Sequence, residues 1–228
     1  MALIGPSGAG KTTLLRALAG GVPLKSGTLL HGEQDFATRS AREVREVRAA
    51  LGFIHQDHGL VPALSVLQNI SFGRLGSRGF LGALRMLAWP SREEQRNVLA
   101  ALERVGLGSK LFARVENLSG GEAQRVAIAR ALHQLPCALL CDEPVSSVDP
   151  ERARSVLGLL GSLAGEQGWS QVCSLHDVEL AVDHFDRWIG LREGRVLFDG
   201  SPTETSQAEL DELFAATKGP RLGNASKA

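Results

Sequence analysis

The first residues of this 228-residue chain combine glycines with a lysine and a threonine in a spacing suited to phosphate binding. Residues 5–12, GPSGAGKT, fit the pattern G-x-x-x-x-G-K-[ST] in full. The glycines allow a backbone curl in which successive N–H groups point at phosphate oxygens, and the following helix adds the positive end of its dipole. We expect Lys11 to reach the β- and γ-phosphates of a nucleotide and the Thr12 hydroxyl to bind Mg²⁺. The predicted nucleotide-binding residues of this loop are Gly5, Pro6, Ser7, Gly8, Ala9, Gly10, Lys11, Thr12 and Thr13.

Two acids close a near-continuous apolar run, CALLCDEP, at residues 137–144. Such a run is typical of a strand buried on both faces, and open α/β sheets bind their ligands at the carboxyl ends of parallel strands. Asp142 would there hold Mg²⁺, and Glu143 would polarise an attacking water as a general base. The alternative is a strand that simply ends in two solvated acids.

A second glycine-containing helix start, LSGGE at residues 118–122, precedes the run AQRVAIARAL. Gly120 and Gly121 leave bare N–H groups beside the Ser119 hydroxyl, so this helix N-terminus is also suited to an anion. A serine N-cap with a glycine turn would explain the helix start alone. One nucleotide does not need two such sites from the same chain, so the second is expected to serve another copy.

The elements that would position these residues alternate between strands and helices. The segment ALI before Gly5 looks like the end of a strand, and residues 12–19 look like the helix that follows it. Further strands are predicted at 51–56 (LGFIHQ) and 170–175 (SQVCSL), and a hairpin at 187–200 turning at Glu193-Gly194. This order predicts an α/β fold with a mostly parallel sheet covered by helices.

Between Gln56 and Leu118 the pattern changes to helical periodicity, as in REEQRNVLAALERVGL, with no strand-like run. We therefore predict one domain over residues 1–218, with a core at 1–56 and 135–200 and an inserted helical subdomain at about 57–134. A C-terminal helix is predicted at about 203–217. Residues 219–228 have little to bury and are expected to form a frayed tail.

Composition excludes several classes of function. Lys+Arg and Asp+Glu are both 25, so the chain has no basic excess for nucleic acid, and we expect no nucleic-acid partner. No stretch of eighteen consecutive apolar residues could span a membrane, and the N-terminus does not resemble a secretory signal, which predicts a cytoplasmic location. The three cysteines, Cys137, Cys141 and Cys173, have apolar neighbours and are predicted to be buried core residues rather than zinc ligands.

Six motifs in this order and spacing resemble those of an ABC-transporter ATP-binding subunit, a P-loop NTPase. They are the phosphate-binding loop, Gln56, LSGGE, CDEP, SSVD at residues 146–149 and His176, and the similarity runs from Gly5 to about Pro202. The resemblance implies ATP and Mg²⁺ as cofactors. It implies catalytic roles for Glu143, His176, Lys11 and Gln56, and metal binding by Thr12, Gln56 and Asp142.

The resemblance also implies two copies arranged head to tail. Each ATP would lie between the loop of one copy and Ser119, Gly120 and Gly121 of the other, with Asp149 crossing the dimer interface. The dimer would drive a separate integral membrane permease that receives its cargo from a substrate-binding protein. The chain would then lie at the cytoplasmic face of the cell membrane, held there through the permease.

Within the family, residues 59–70, GLVPALSVLQNI, followed by residues 71–95, SFGRLGSRGFLGALRMLAWPSREEQ, resemble the longer insert of phosphonate-importer ATPase subunits, which contains Gly-Arg-Leu-Gly and a tryptophan. We therefore expect import of phosphonate or a related oxyanion. Lipoprotein-release and macrolide-type ABC exporters are the nearest alternatives. ABC ATPases of DNA repair would insert long coiled coils, and ribosome-acting members usually carry two cassettes in one chain, so both fit this sequence less well.

One departure from the family pattern lies before the loop. Related subunits usually carry a few dozen upstream residues, with antiparallel strands and an aromatic residue that stacks on adenine, and neither is present here. Losing one such stack would cost about 1–3 kcal/mol by analogy with nucleic-acid bases. The alternatives are an ABC module truncated in nature, with impaired ATPase activity or only a regulatory role, and a start site that lies further upstream.

We expect the upstream start, with Met1 misassigned as the first residue. Mass spectrometry of the native protein checks this expectation. An N-terminal peptide that begins at Met1 or Ala2 would refute it.

Overall fold

The strand before the phosphate-binding loop lies in the middle of a six-stranded sheet. The computed structural model describes residues 1–77, 82, 84–86, 89–146 and 148–215. The described strands are β1 (Ala2–Ile4), β2 (Leu30–His31), β3 (Gln34–Asp35), β4 (Leu51–Ile54), β5 (Ala138–Asp142), β6 (Ser170–Leu175), β7 (Trp188–Arg192) and β8 (Arg195–Gly200). The described helices are α1 (Lys11–Leu18), α2 (Ala41–Ala49), α3 (Val66–Ser71), α4 (Arg92–Arg104), α5 (Gly120–Gln134), α6 (Pro150–Gln167), α7 (Val178–His184) and α8 (Gln207–Phe214).

The sheet order is β4-β5-β6-β1-β7-β8, and only the β7–β8 pair is antiparallel. Because β1, β5 and β6 are parallel neighbours, their carboxyl ends meet at one edge. The loop after β1, the acids that end β5 and the residues that end β6 are therefore brought together there. The small sheet β2–β3 is a separate antiparallel pair.

Alternate residues of β1 face opposite sides of the sheet, as the twofold repeat of a strand requires. Leu3 packs with Leu15 of α1 on one side, while Ala2 and Ile4 join the larger core cluster on the other. That larger cluster includes Leu157 of α6, Ala181 of α7 and buried residues of α3, α4 and α5. Both faces of the sheet are thus covered by helices.

The segment between β4 and β5 is built from helices and short 3₁₀ turns. It contains α3, α4 and α5, with 3₁₀ turns at 72–77, 108–110 and 115–117. A buried pair joins two of these helices, since His133 Nε2 of α5 lies 2.9 Å from Glu94 Oε1 of α4. Among the described residues, no helix is both long and apolar enough to cross a membrane.

The sequence patterns located the main core strands correctly. The strands at 2–4, 51–54, 138–142 and 170–175, the helix at 11–18 and the hairpin turn at Glu193-Gly194 all form, with ends within two residues of expectation. The patterns did not single out the β2–β3 pair or helices α2, α6 and α7. Of the expected features, Ser147, part of the 71–95 insert and residues 216–228 lie outside the described residues.

The prediction that all three cysteines are buried is wrong for Cys137. Cys141 and Cys173 are buried in β5 and β6, but Cys137 is exposed. The physical reason is its position in the connection between α5 and β5, before the chain enters the sheet. Its backbone N–H donates to the Ala50 carbonyl at 2.8 Å, so its backbone is held there while its side chain remains at the surface.

Close packing in the β7–β8 hairpin generates a stability test. A Cβ built on Gly190 would lie 2.3 Å from the Phe198 ring. We expect Gly190→Ala to lower the free energy of unfolding by about 1–3 kcal/mol, because the buried ring and strand must shift to admit the methyl group. Urea denaturation measures the effect.

Gly200→Ala is the matched control in the same hairpin. Its added Cβ would meet Glu204 at an ordinary 3.6 Å, so the free energy of unfolding should change by less than about 0.5 kcal/mol. Equal losses in the two variants would contradict the packing described here.

Candidate functional site

The loop between β1 and α1 has a backbone that depends on its glycines. Gly8 and Gly10 have φ values of 80° and 103°, a backbone region that residues other than glycine rarely adopt. Gly10 is the N-cap of α1. A Cβ on Gly5 would lie 2.1 Å from the Leu191 carbonyl oxygen, and the Gly194 N–H donates to Ala9 O at 2.9 Å. The loop is therefore pressed against the β7–β8 hairpin and held by its turn.

Lys11 points back into this loop rather than into solvent. It is only 4% exposed, and its Nζ donates to the carbonyl oxygens of Gly5 at 2.8 Å and Pro6 at 3.2 Å. The same ammonium lies 3.4 Å from Glu143 Oε1. One cation thus connects the start of the loop with the acid that follows β5.

Asp142 is the buried centre of a hydrogen-bonded group that joins three elements. Its Oδ1 accepts from Thr12 Oγ1 of α1 and from Ser174 Oγ of β6, both at 2.9 Å. Ser174 Oγ in turn accepts from the Glu143 backbone N–H at 2.8 Å. Asp142 and Ser174 are direct partners in the parallel register of β5 and β6, which explains why these side chains meet.

Glu143 has an unusual backbone. Its φ is 45°, in the left-handed region, where a residue other than glycine costs about 1–3 kcal/mol. Interactions on both sides hold it, since Ser174 binds its N–H and buried Gln124 donates from Nε2 to the next carbonyl, Pro144 O. Such strain is typical of sites where a side chain must be aimed in one direction.

The helix α5 presents a second group of exposed N–H donors. Ser119 is its N-cap, and apart from adjacent residues and the helix's own backbone nothing lies within 4 Å of where a Cβ on Gly120 or Gly121 would be. Glu122 Oε2 accepts a hydrogen bond from the Ser119 backbone N–H at 2.8 Å, and Glu122 Oε1 forms an ion pair with Lys110 Nζ at 3.0 Å. The hydrogen bond from the Ser119 N–H, followed by the one from Lys110, lowers the pKa of Glu122 to about 2.

Several of the predicted site residues line one cavity of about 280 Å³. Those residues are Gln56, Ser119, Gly120, Gly121, Glu143 and Asp149. None of the loop residues 5–13 lines this cavity. His176 lines a smaller adjacent cavity of about 100 Å³, which shares Ser146 and Val148 with the first.

The loop after β4 carries Gln56 to this cavity and is held from α5. The Arg130 guanidinium donates to the carbonyl oxygens of Gly59 at 2.6 Å and His58 at 2.8 Å. Burial, and then the charge of Arg130, lower the pKa of His55, and burial is also the main cause of the lowered pKa of His58. Both shifts favour the neutral imidazole.

Ser174 and Gln124 are site residues that the sequence analysis did not identify. Both are buried, at 0% and 3% exposure, and both hold the segment around Asp142 and Glu143. The available signal for Ser174 was a hydroxyl directly after the apolar pair Val172-Cys173, near the carboxyl end of the strand. Gln124 gave no local signal, because its partner Pro144 is brought to it only by the fold.

Comparisons with known proteins agree with this arrangement. The family model described as ABC transporter matches residues 1–146. The chain is 46% identical over 97% of its length to "Phosphonates import ATP-binding protein PhnC" of Pseudomonas putida, covering 84% of that protein. It is 42% identical over 94% of its length to the protein of the same name from Escherichia coli O157:H7, covering 83% of it. The protein of that name from Anaeromyxobacter dehalogenans is longer. It is 44% identical over 96% of this chain, and the match covers 43% of that protein.

Solved structures show the same fold. A structure of cbiO1 from Clostridium perfringens, part of an ABC transporter complex, superposes with a TM-score of 0.76 at 28% identity, covering 92% of this chain and 80% of that one. A bacterial ABC transporter cassette solved as a dimer gives a TM-score of 0.75 at 28% identity, covering 88% of this chain and 84% of that one. A second structure of that same cassette, dimeric and in a post-hydrolysis state with ADP and Pi, gives a TM-score of 0.73 at 27% identity, covering 88% of this chain and 84% of that one.

The group around Asp142 generates a second test. We expect Ser174→Ala to lower the free energy of unfolding by about 1–3 kcal/mol, because the Glu143 N–H loses its acceptor and Asp142 loses a donor inside the protein. Chemical denaturation measures the loss, and the alanine should change nothing else in the strand.

Ser170→Ala, at the exposed start of the same strand, is the matched control and should change stability by less than about 0.5 kcal/mol. A Ser174→Ala variant as stable as this control would show that the hydroxyl does not support the site.

Proposed function

The chain belongs to the ABC transporter family, and on that basis we propose that it binds and hydrolyses ATP to power a separate membrane permease. The observation that carries the proposal is the Thr12–Asp142 hydrogen bond together with the Lys11–Glu143 ion pair. These contacts place the phosphate-binding loop and both acids at the same edge of the sheet. A nucleotide phosphate at this edge would meet a cation, backbone N–H groups and a candidate base.

The loop residues Gly5–Thr13 are proposed to bind the phosphates of ATP. Lys11 now donates to loop carbonyls and faces Glu143, contacts that phosphate oxygens can replace because they are stronger, charged acceptors. Moving the ammonium onto the phosphates would also release the Glu143 carboxylate from its ion pair. Binding of ATP would thereby prepare the acid for its role as a base.

The residues around Thr12 are suited to Mg²⁺, which takes oxygen ligands. The ion is commonly held by one or two protein oxygen ligands together with the phosphates of the substrate. The Thr12 hydroxyl and the Asp142 carboxylate are 2.9 Å apart, and we propose Gln56, from the adjacent cavity, as a further ligand. When bound, the ion would neutralise charge that develops on the phosphates. Ser174 keeps the Asp142 carboxylate oriented for this role by donating to Oδ1.

Glu143 is proposed as the general base that polarises the attacking water. Its strained backbone is held by Ser174 and Gln124, so its carboxylate is directed rather than free to follow solvent. We propose that His176 contacts the γ-phosphate and steadies the water. His176 lies beside the cavity that Glu143 lines, separated from it by the shared residues Ser146 and Val148.

We propose that the functional unit is a head-to-tail dimer. Ser119, Gly120 and Gly121 line a cavity that contains no residue of the loop 5–13, which supports a role toward a nucleotide held by another copy. Asp149 lines the same cavity and would lie at the dimer interface. Two dimeric structures of one similar cassette support this assembly. Closure would perform work because ATP binds the closed dimer better than the open one.

The cargo is proposed to be a phosphonate or a related oxyanion. The support is the name of the similar proteins from P. putida and E. coli, to which the similarity extends over more than four fifths of their length. The permease and its substrate-binding protein would recognise the cargo itself, with this chain held at the cytoplasmic face of the membrane.

The proposed organisation is one domain over 1–218, with a core at 1–56 and 135–200 and a helical subdomain at about 57–134.

Replacing the proposed base tests the function. We expect Glu143→Gln to lower the ATPase rate at least about a hundredfold, because the amide cannot accept the proton of the attacking water. ATP binding should persist, and the variant should accumulate as an ATP-dependent dimer. Phosphate release and light scattering after size-exclusion chromatography measure the two results.

Glu151→Gln, at an exposed acid in the first turn of α6, is the control and should match the wild type.

A growth experiment tests the cargo. With the cognate permease in a strain that lacks its own phosphonate importer, wild type and control should support growth on a phosphonate as the sole phosphorus source, and Glu143→Gln should not. ATPase activity of Glu143→Gln at the wild-type rate would exclude Glu143 as the base. Active protein that fails to support growth would exclude the cargo.

A further inference from the structure

One face of helix α5 holds both ends of strand β4. Gln134 Nε2, at the end of the helix, donates to the carbonyl oxygens of Ala49 at 2.9 Å and Leu51 at 2.8 Å, where the strand begins. Arg130 lies four residues earlier, on the same helix face. Its guanidinium binds the loop that follows the strand. The strand and the loop after it are therefore both fixed relative to α5.

The loop after β4 is a tight turn with Gln56 at its second position. The His58 N–H donates to His55 O at 2.9 Å, which closes a turn over residues 55–58. His58 and Gly59 both lie in the left-handed region, with φ values of 64° and 56°. Residues other than glycine rarely adopt this conformation, so His58 needs contacts that hold it there.

Arg130 supplies such contacts. Its Nη1 donates to Gly59 O at 2.6 Å, and its Nη2 donates to His58 O at 2.8 Å. Both carbonyl oxygens thus converge on one guanidinium, whose planar fork of donors suits two acceptors. Without the guanidinium the two oxygens would lose these donors and repel each other, and the turn could relax.

The turn separates two cavities. Gln56 and His58 line the site cavity of about 280 Å³. His55, Gly59 and Arg130 line a second cavity of about 630 Å³, which also contains residues of α2 and β4. Arg130 therefore reaches the turn from the side away from the site cavity, and its effect on the site passes through the backbone of the turn.

We propose that Arg130 is a positioning residue for Gln56: by holding the carbonyls of His58 and Gly59, it keeps the Gln56 side chain at the site cavity, where it can bind Mg²⁺. The inference rests on the proposed function, because it requires Gln56 to act as a metal ligand. Arg130 itself need not touch the metal or the nucleotide. Its contribution is to place a ligand before the ion arrives.

Hydrogen exchange of the full chain without nucleotide tests the first step. In Arg130→Met, the amides of residues 56–60 should exchange at least about tenfold faster than in the wild type, because the turn loses two hydrogen bonds from a charged donor. Mass spectrometry of peptides that span the turn measures the rates. Arg130→Lys keeps the charge without the planar fork and should give an intermediate rate.

Magnesium dependence tests the second step. Arg130→Met should raise the Mg²⁺ concentration for half-maximal ATP hydrolysis about tenfold, the usual scale for a group that orients a metal ligand. In a Gln56→Ala background the same substitution should change that concentration less than about twofold, because the ligand that Arg130 positions is absent. A half-maximal concentration does not depend on the fraction of folded protein, so a loss of stability alone would not move it.

Gln134→Met is the matched control. It removes the same number of side-chain hydrogen bonds from the same helix face, but at the start of the strand. Both Gln134→Met and Arg130→Met should lower the melting temperature, since each leaves two carbonyls without these donors. Only Arg130→Met should alter the exchange of the turn and the magnesium dependence.

Gly59→Ala disturbs the turn while leaving Arg130 in place. Its Cβ would lie 3.2 Å from the His55 ring and 3.5 Å from Arg130 Nη2, at a φ that alanine disfavours. We expect faster exchange and a higher magnesium requirement, as for Arg130→Met. This variant decides the question if Arg130→Met is too unstable to purify.

The outcomes distinguish this inference from the proposed function. If the wild type does not hydrolyse ATP with Mg²⁺, the proposed function fails and the role of Arg130 toward the metal fails with it. If the wild type is active and either Arg130→Met or Gly59→Ala retains wild-type exchange or wild-type magnesium dependence, only the role of Arg130 is overturned. An equal rise in the magnesium requirement from Arg130→Met in the native and in the Gln56→Ala background also overturns it, because Arg130 would then act independently of Gln56.

Discussion

The arrangement of the site depends on the buried carboxylate of Asp142. Its Oδ1 accepts from Thr12 and from Ser174, and so joins the first turn of α1 to the ends of β5 and β6. A carboxylate at 5% exposure needs such donors, because an unpaired buried charge is strongly unfavourable. The requirement to satisfy Asp142 therefore sets where the phosphate-binding loop lies relative to the acid that follows.

The contacts around Glu143 and Lys11 extend this constraint to the chemistry. Glu143 adopts a strained backbone that Ser174 and Gln124 support, and its carboxylate faces the ammonium of Lys11. Lys11 also donates to two loop carbonyls. The cation can thus exchange its present acceptors for phosphate oxygens, which couples the arrival of ATP to the release of the base.

Much of the fold was predictable because its core strands are short, mostly apolar runs bounded by polar or turn-forming residues. The elements that escaped prediction have weaker local signals. Strands β2 and β3 contain two residues each, and Leu30 of β2 is largely exposed, so neither shows an apolar alternation. Cys137 was wrongly predicted to be buried because apolar neighbours in sequence do not reveal where a strand enters the sheet.

The sequence alone determined the residues able to bind phosphate, the acids beside them and the second glycine-containing helix start, since these properties reside in residue types at fixed spacing. Only the tertiary structure decided which groups meet. The register of β5 and β6 sets Ser174 beside Asp142, and the packing of the 108–110 turn sets Lys110 beside Glu122. Such pairs are far apart in the chain, so no local pattern records them, and they form only when burial of the core brings the elements together.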